Sequence, residues 1–175
     1  MNDVVSISNL TQSINFQELT AQDAEVLVSL YSKDIVQNFE FLQKCPTLEE
    51  ERIYIERMRN SSTDVLRGIY FEEKLIGTIG LHEINDEDKS ARLGVIIWDK
   101  NFHKKGIASY SIKSIADFAF SEASLEKLYA NILFNNTRAD KFYRKLGFRA
   151  EHILERYYSL RGKEEDMIHM VLKRH

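Results

Sequence analysis

One cysteine, one proline and no long apolar run set the first limits on this 175-residue chain. Cys45 alone closes no internal disulfide and builds no thiolate metal cage. The five histidines show no metal-ligand spacing, so no catalytic metal is expected. With Pro46 the only proline, no low-complexity stretch and no internal repeat, no linker is visible, and a single domain over 1–175 is expected. No apolar segment approaches the ~18–20 residues that a bilayer-spanning helix needs, so no membrane partner is expected. Met1 to Ser13 is polar and lacks the basic start and apolar stretch of a secretion signal, which together with the cysteine usage points to the cytoplasm. Positive charge is not in excess either. The net charge of −3 argues against a nucleic-acid partner, because the phosphate backbone calls for a basic surface.

What is present is an ordinary globular composition, 43% hydrophobic and 29% charged, sufficient for one core. Asn15–Leu19 alternates as a short strand. Thr20, with Asp23 three residues on, has the spacing of a capped helix start, and Ala24, Leu27, Val28 and Tyr31 continue at helical spacing over 21–32. Thr47 and Glu50 repeat the signal for a second helix ending near Arg59. Val65–Phe71, Leu75–Ile84 and Ala91–Trp98 form a strand meander, the last of them apolar enough to be buried on both faces. Residues 106–121 return to helical spacing, Lys127–Phe134 is a strand, and a helix capped by Asn135 or Asn136 ends at Gly147. Two strands, 148–158 and 164–172, joined by a turn at Arg161-Gly162-Lys163, complete the pattern. This order predicts an α/β (α+β) domain with a mixed sheet.

Two stretches carry chemistry. In Asp99-Lys100-Asn101-Phe102-His103-Lys104-Lys105-Gly106-Ile107-Ala108 a strand runs through a basic loop into a helix that opens on glycine. The first N–H groups of such a helix have no internal partners, and with the helix dipole they suit a pyrophosphate. Alone, the pattern also fits a solvated basic loop. In Asn135-Asn136-Thr137-Arg138-Ala139-Asp140-Lys141-Phe142-Tyr143-Arg144-Lys145-Leu146-Gly147-Phe148 a short capped helix returns at once into a strand. Tyr143 lies on its apolar side, where packing is the default reading of an aromatic.

Together the two stretches resemble GCN5-related N-acetyltransferases (GNAT). His103-Lys104-Lys105-Gly106-Ile107-Ala108 is similar to the (Gln/Arg)-x-x-Gly-x-(Gly/Ala) signature. Asn136-Thr137-Arg138-Ala139 followed by Phe142-Tyr143-Arg144-Lys145-Leu146-Gly147-Phe148 is similar to the second family segment. The resemblance runs from about Phe16 to Lys173, and Leu93 to Lys100 looks like the cofactor strand of the ribosomal-protein-alanine and spermidine acetyltransferase branches.

The resemblance implies a mixed, mostly antiparallel twisted sheet of about six to seven strands, with about four helices on both faces. It implies acetyl-CoA as co-substrate, direct attack of a primary amine in a ternary complex, and cofactor residues placed as follows. The main chain of Ile96, Ile97 and Trp98 would pair with the pantetheine arm. N–H groups from His103, Lys104, Lys105, Gly106, Ile107, Ala108 and Ser109 would hold the pyrophosphate. Asn136 would bond the arm, Ala139 would leave room for it, and Tyr143 would protonate the departing thiolate, since a phenol of pKa ~10 is protonated at neutral pH. The Glu that relatives often place before Leu-Gly in this strand is Arg92 here. His82 and Glu83 on the neighbouring strand are then the candidate bases, Glu83 ahead, with one of the two facing the cleft by strand alternation. Tyr31, Asp34, Phe39, Glu40 and Phe41 between the first helices, and His152, Glu155, Tyr157 and Tyr158 on the penultimate strand, are candidates for the acceptor. His169 reads as structural. The acceptor is either a small amine, such as a polyamine or amino sugar, or a protein N-terminus. A homodimer is common in these branches. An acetyl-CoA sensor without turnover is the alternative that Arg92 favours and Tyr143 opposes.

Overall fold

The structure, a computed structural model, describes residues 11–31, 44–160 and 163–174. The chain forms β1 (Ile14–Glu18), α1 (Asp23–Leu30), α2 (Leu48–Arg59), β2 (Val65–Phe71), β3 (Lys74–Asn85), β4 (Ser90–Ile97), α3 (Ile107–Ser121), β5 (Lys127–Leu133), α4 (Thr137–Lys145), β6 (Arg149–Leu160) and β7 (Lys163–Lys173). A short 3₁₀ turn, Lys100–Phe102, links β4 to α3. The seven strands lie in the order β1-β2-β3-β4-β5-β7-β6. All neighbours are antiparallel except β4 and β5, which α3 joins as a parallel crossover. The expected α/β sheet is therefore present. Residues 161–162 of the expected final turn lie outside the described residues. Among those described, no helix is long and apolar enough to cross a membrane.

Local chemistry accounts for most helix ends. Thr47 Oγ1 accepts from the Glu50 N–H and the Glu50 carboxylate accepts from the Thr47 N–H, a complete capping box of about 1 kcal/mol. At α1 the expected cap is displaced. The Asp23 carboxylate accepts from both the Thr20 N–H at 2.7 Å and its hydroxyl at 2.8 Å, pinning a turn, and the helix begins only at Asp23. Gly147, at φ 93, ends α4 in the left-handed conformation, with its N–H donating to the Arg144 carbonyl.

Two apolar clusters cover the sheet. The larger packs α3, through Ile107, Ile112, Ile115 and Ala119, on Ile79, Leu81, Leu93 and Leu128, with α4 against it. The smaller packs α1 and α2, through Leu27, Ile55 and Met58, on Leu66, Tyr70, Ile96 and Trp98. Close approach of β3 to β4 depends on Gly77, where a Cβ would stand 2.5 Å from the Ile96 carbonyl oxygen and 3.1 Å from Ile97 Cα. Gly77→Ala should therefore cost about 1–3 kcal/mol, because backbone rather than a flexible side chain must yield. The melting temperature should drop by about 2–4 °C per kcal/mol, readable by calorimetry.

The feature that makes a site is a wedge in the sheet. β4 and β5 pair at only three rungs, Ser90↔Lys127, Ala91↔Leu128 and Arg92↔Tyr129. Beyond Arg92 the two strands part. The expectation that β4 is buried on both faces holds for Ala91, Leu93 and Ile96. It fails at Arg92, Gly94, Val95 and Ile97, which are half-exposed along the stretch from which β5 departs.

Candidate active site

Along one edge of the wedge, β4 peptide groups have no strand partner among the described residues. The Trp98 N–H donates to the Ile76 carbonyl at 2.8 Å. In an antiparallel ladder peptide groups alternate in direction, so those of Ile96 also face β3 while those of Val95 and Ile97 face the opening. Of the three residues expected to pair with an extended arm, Ile97 alone points its N–H there, joined by Val95. The Ile97 carbonyl meets the His103 ring, whose Nε2 lies 2.8 Å away. His103 thus ties the loop to the strand by its side chain.

The loop between β4 and α3 is stiffened by Asp99, which is buried. Its carboxylate accepts from the Asn101 N–H at 2.9 Å and pairs with Lys74 at 2.7 Å. The chain then turns through Lys104 at φ 60 and Gly106 at φ 79, both left-handed. Gly106 is the N-cap of α3 and provides no side-chain cap. The N–H groups of Ile107, Ala108 and Ser109 therefore head the helix dipole with no side-chain cap from residue 106, and the exposed Lys104 and Lys105 lie beside them in sequence. Lys105 also lies 5.4 Å over the Phe102 ring. The arrangement, at the end of the strand that lines the wedge, has the geometry and charge that suit an anion.

On β5's side, Asn136 caps α4 by accepting from the Ala139 N–H at 3.1 Å. Ala139 is half-buried against the larger cluster. Tyr143 is half-buried too, its ring edge-on to Phe142 at 5.4 Å and to Phe148 at 5.1 Å. Those contacts fix the ring while leaving part of the residue accessible.

The two candidate bases do not obey simple alternation. β3 carries an extra residue where the pairing shifts from His82↔Arg92 to Asn85↔Ser90, and Glu83 sits at φ 55 in this bulge. Both side chains consequently interact with Arg92. Glu83 accepts from the Arg92 guanidinium at 3.0 Å and from the Tyr129 hydroxyl at 2.8 Å. Burial raises its pKa, but the Tyr129 hydrogen bond and the Arg92 charge outweigh it and hold the carboxyl below the usual range. Tied at both oxygens and made less basic, Glu83 is poorly suited to proton abstraction, against its expected precedence. His82 is buried, with Nδ1 3.0 Å from Asp64 Oδ1.

The acceptor candidates separate in space. Tyr31 donates to the buried Glu51 carboxylate at 3.0 Å, and its ring stands edge-on to Trp98 at 4.5 Å. Burial raises the pKa of Glu51, and burial with the neighbouring Glu51 charge raises that of Tyr31. Glu155 and Tyr157 are exposed on β6, flanking Arg156, which sits at φ 47 in a second bulge. Asp34, Phe39, Glu40 and Phe41 lie outside the described residues, as does the Tyr158 side chain. His152 and His169 stack at 4.6 Å, and His169 Nδ1 lies 2.8 Å from Asn131 Oδ1. A cleft of about 380 Å³ alongside the β4–β5 rungs is lined by Glu83, Ser90, Lys127, Tyr129, Glu151 and His169, among others.

Glu51, Asp64 and Tyr129 escaped sequence reasoning. Each looks ordinary in its own segment, and none sits in a motif. Only the sheet brings them to the face that carries His82 and Arg92.

The acetyltransferase (GNAT) domain family matches residues 13–149. The uncharacterized N-acetyltransferase YoaA of Bacillus subtilis is 26% identical over 162 residues, 89% of this chain and 90% of its own. The spermidine N(1)-acetyltransferase of Escherichia coli is 32% identical over 99 residues, 57% of this chain and 53% of its own. The solved structure of spermidine N-acetyltransferase from Vibrio cholerae in complex with CoA and spermine aligns with a TM-score of 0.82. It covers 93% of this chain and 96% of its own at 21% identity, a likeness of fold. With a strand wedge leading to an uncapped, left-handed helix start, and with the family match spanning most of its length, this chain belongs to the acetyltransferase (GNAT) family of acetyl-CoA-dependent N-acetyltransferases.

Proposed function

We propose that the protein acetylates a primary alkyl amine of the polyamine class by direct attack on the thioester of acetyl-CoA. The observation that carries the reading is the wedge between β4 and β5, which ends at the start of α3. An extended pantetheine arm can add to β4 as a further strand through Val95 and Ile97, with the diphosphate on the N–H groups of Ile107, Ala108 and Ser109. Lys104 and Lys105 add charge, and Asn136 and Ala139 flank the arm from α4. Tyr143 donates a proton to the departing thiolate, because a phenol keeps its proton at neutral pH. N–H groups along β4 meet the thioester oxygen as it gains charge.

For the acceptor, the carboxylates of Glu51, Asp64 and Glu83 and the rings of Tyr31, Tyr54 and Tyr129 are spread over one face of the sheet and its flanking helices, a setting for a chain of ammonium groups. Likeness to the spermidine acetyltransferases supports the same choice. Self-association belongs to this reading as well, since β6 ends the sheet with Ile153 and Tyr157 exposed.

Thiol release from acetyl-CoA across a panel of amines tests the proposal. Spermidine and spermine should exceed monoamines and amino sugars by at least about tenfold in kcat/KM, equivalent to 1.4 kcal/mol of differential transition-state binding. Equal use of monoamines would remove the polyamine assignment. Tight acetyl-CoA binding with no turnover on any amine would replace the enzyme by a sensor.

A further inference from the structure

We infer that His82, oriented by Asp64, is the group that accepts the proton of the attacking amine. The inference rests on the N-acetyltransferase reading above. His82 is the register partner of Arg92, and Arg92 is the last β4 residue paired with β5. The imidazole therefore stands where the wedge opens. An ionised carboxylate only accepts hydrogen bonds, so the 3.0 Å contact with Asp64 Oδ1 places the ring's hydrogen on Nδ1. The lone pair of Nε2 is then available, and Nε2 has no hydrogen-bond partner among the described residues. Asp64 is itself held by the Ser61 hydroxyl at 2.6 Å.

Two glycines give the ring its place. A Cβ at Gly80 would lie 3.0 Å from Nε2, and one at Gly94 would lie 3.2 Å from it. Gly94 is the second β4 residue beyond the last paired rung. The basic nitrogen thus rests over bare backbone beside the strand edge that the thioester would follow.

The titratable and charged groups around the ring come from four elements. Asp64 precedes β2, Arg92 is on β4, Glu83 is on His82's own strand, and α2 contributes Tyr54, close enough to Asp64 and Arg92 to feel both charges. Burial and the Arg92 charge lower the imidazole pKa, while Asp64 and Glu83 oppose them, and the balance lies below the ordinary histidine value. A ring with a lowered pKa is neutral at pH 7 and ready to accept.

In the step itself, the amine lone pair attacks the thioester carbon and a C–N bond forms. One N–H proton passes to His82 Nε2. The C–S bond breaks, and the thiolate takes the Tyr143 proton. The imidazolium then returns its proton to the tyrosinate through solvent. Amine and acetyl-CoA thus become acetamide and free thiol with no other reactant.

The experiment combines kinetics with acetyl-CoA calorimetry on the full chain. His82→Gln should lower kcat about 100-fold while the acetyl-CoA Kd stays within about twofold. Loss of the Asp64 charge in Asp64→Asn should move the acid-side break of kcat/KM to lower pH, and loss of the Arg92 charge in Arg92→Gln should move it higher. These opposite displacements are not produced by a merely structural role. Should His82→Gln fail to fold, the imidazole ¹⁵N signals of the wild-type protein decide. They should report an Nδ1–H tautomer that titrates below ~6.5. Overturning results are a His82→Gln enzyme within about threefold of wild type, an acid break that stays put in both charge variants, or an Nε2–H tautomer. A wild-type protein that binds acetyl-CoA yet turns over no amine defeats the acetyl-transfer reading first, and the base falls with it.

Discussion

Replacing Tyr143 with phenylalanine should lower kcat by about 100- to 1,000-fold, the range for loss of a positioned proton donor. Acetyl-CoA affinity should change by less than about twofold, because the loss belongs to the transition state and not to ground-state binding. The asymmetry follows from how the ring is held. Its contacts with Phe142 and Phe148 are aromatic edges that a phenylalanine ring retains. The Tyr143 carbonyl, which accepts from the N–H groups of Leu146 and Phe148 and so closes α4, is untouched. Melting temperature should therefore hold while turnover collapses. Thiol-release kinetics and calorimetry on the same preparation check both halves, and equal turnover in the two proteins would take Tyr143 out of the mechanism.

The second large effect is expected at Gly106, where Gly106→Val should weaken acetyl-CoA binding at least about 100-fold, equivalent to 2.7 kcal/mol. The residue sits at φ 79, a conformation that costs an ordinary L-residue about 1–2 kcal/mol and a β-branched one more. Valine has two ways to respond, both harmful. It can relax toward negative φ and re-aim the N–H groups of Ile107, Ala108 and Ser109. Alternatively it can hold the turn and set two methyl groups at the N-cap, where an anion must approach. Acetyl-pantetheine, which lacks the diphosphate, provides the control. Its affinity should be nearly the same in both proteins, since its binding draws on the β4 edge and the start of α4 and not on the N–H groups of α3. Undiminished acetyl-CoA affinity in the variant would locate the diphosphate elsewhere.

The pH behaviour at the candidate base follows the same logic of charge and burial. Glu83 is lowered by partners that occupy its oxygens, and His82 is lowered by burial and a neighbouring cation. Both shifts favour the unprotonated form at neutral pH, but only His82 keeps a nitrogen without a partner among the described residues. A lowered histidine pKa also means that folding protonates the ring less readily than the unfolded chain does. The His82 contribution to stability is therefore present above the unfolded value and lost as pH falls through the folded one.

Sequence alone determined whatever depends on residues three or four apart. The Thr47–Glu50 box, the Asn136 cap, the glycine opening α3 and the glycine closing α4 are local hydrogen-bonding and dihedral demands, and they lie where the spacing put them. The order of strands and helices followed from periodicity, and the family likeness from the two motifs. Tertiary structure decided the rest, because the rest is set by pairing between distant segments. The bulge at Glu83 exists only in register with β4, and it defeats the alternation that a strand read alone would obey. The direction of the β4 peptide groups depends on which carbonyl of β3 receives the Trp98 N–H. Asp64 meets His82 across 18 residues, and Tyr129 meets Glu83 across 46. No spacing rule reaches that far, since such contacts are fixed by sheet register and packing and not by the chain's local geometry.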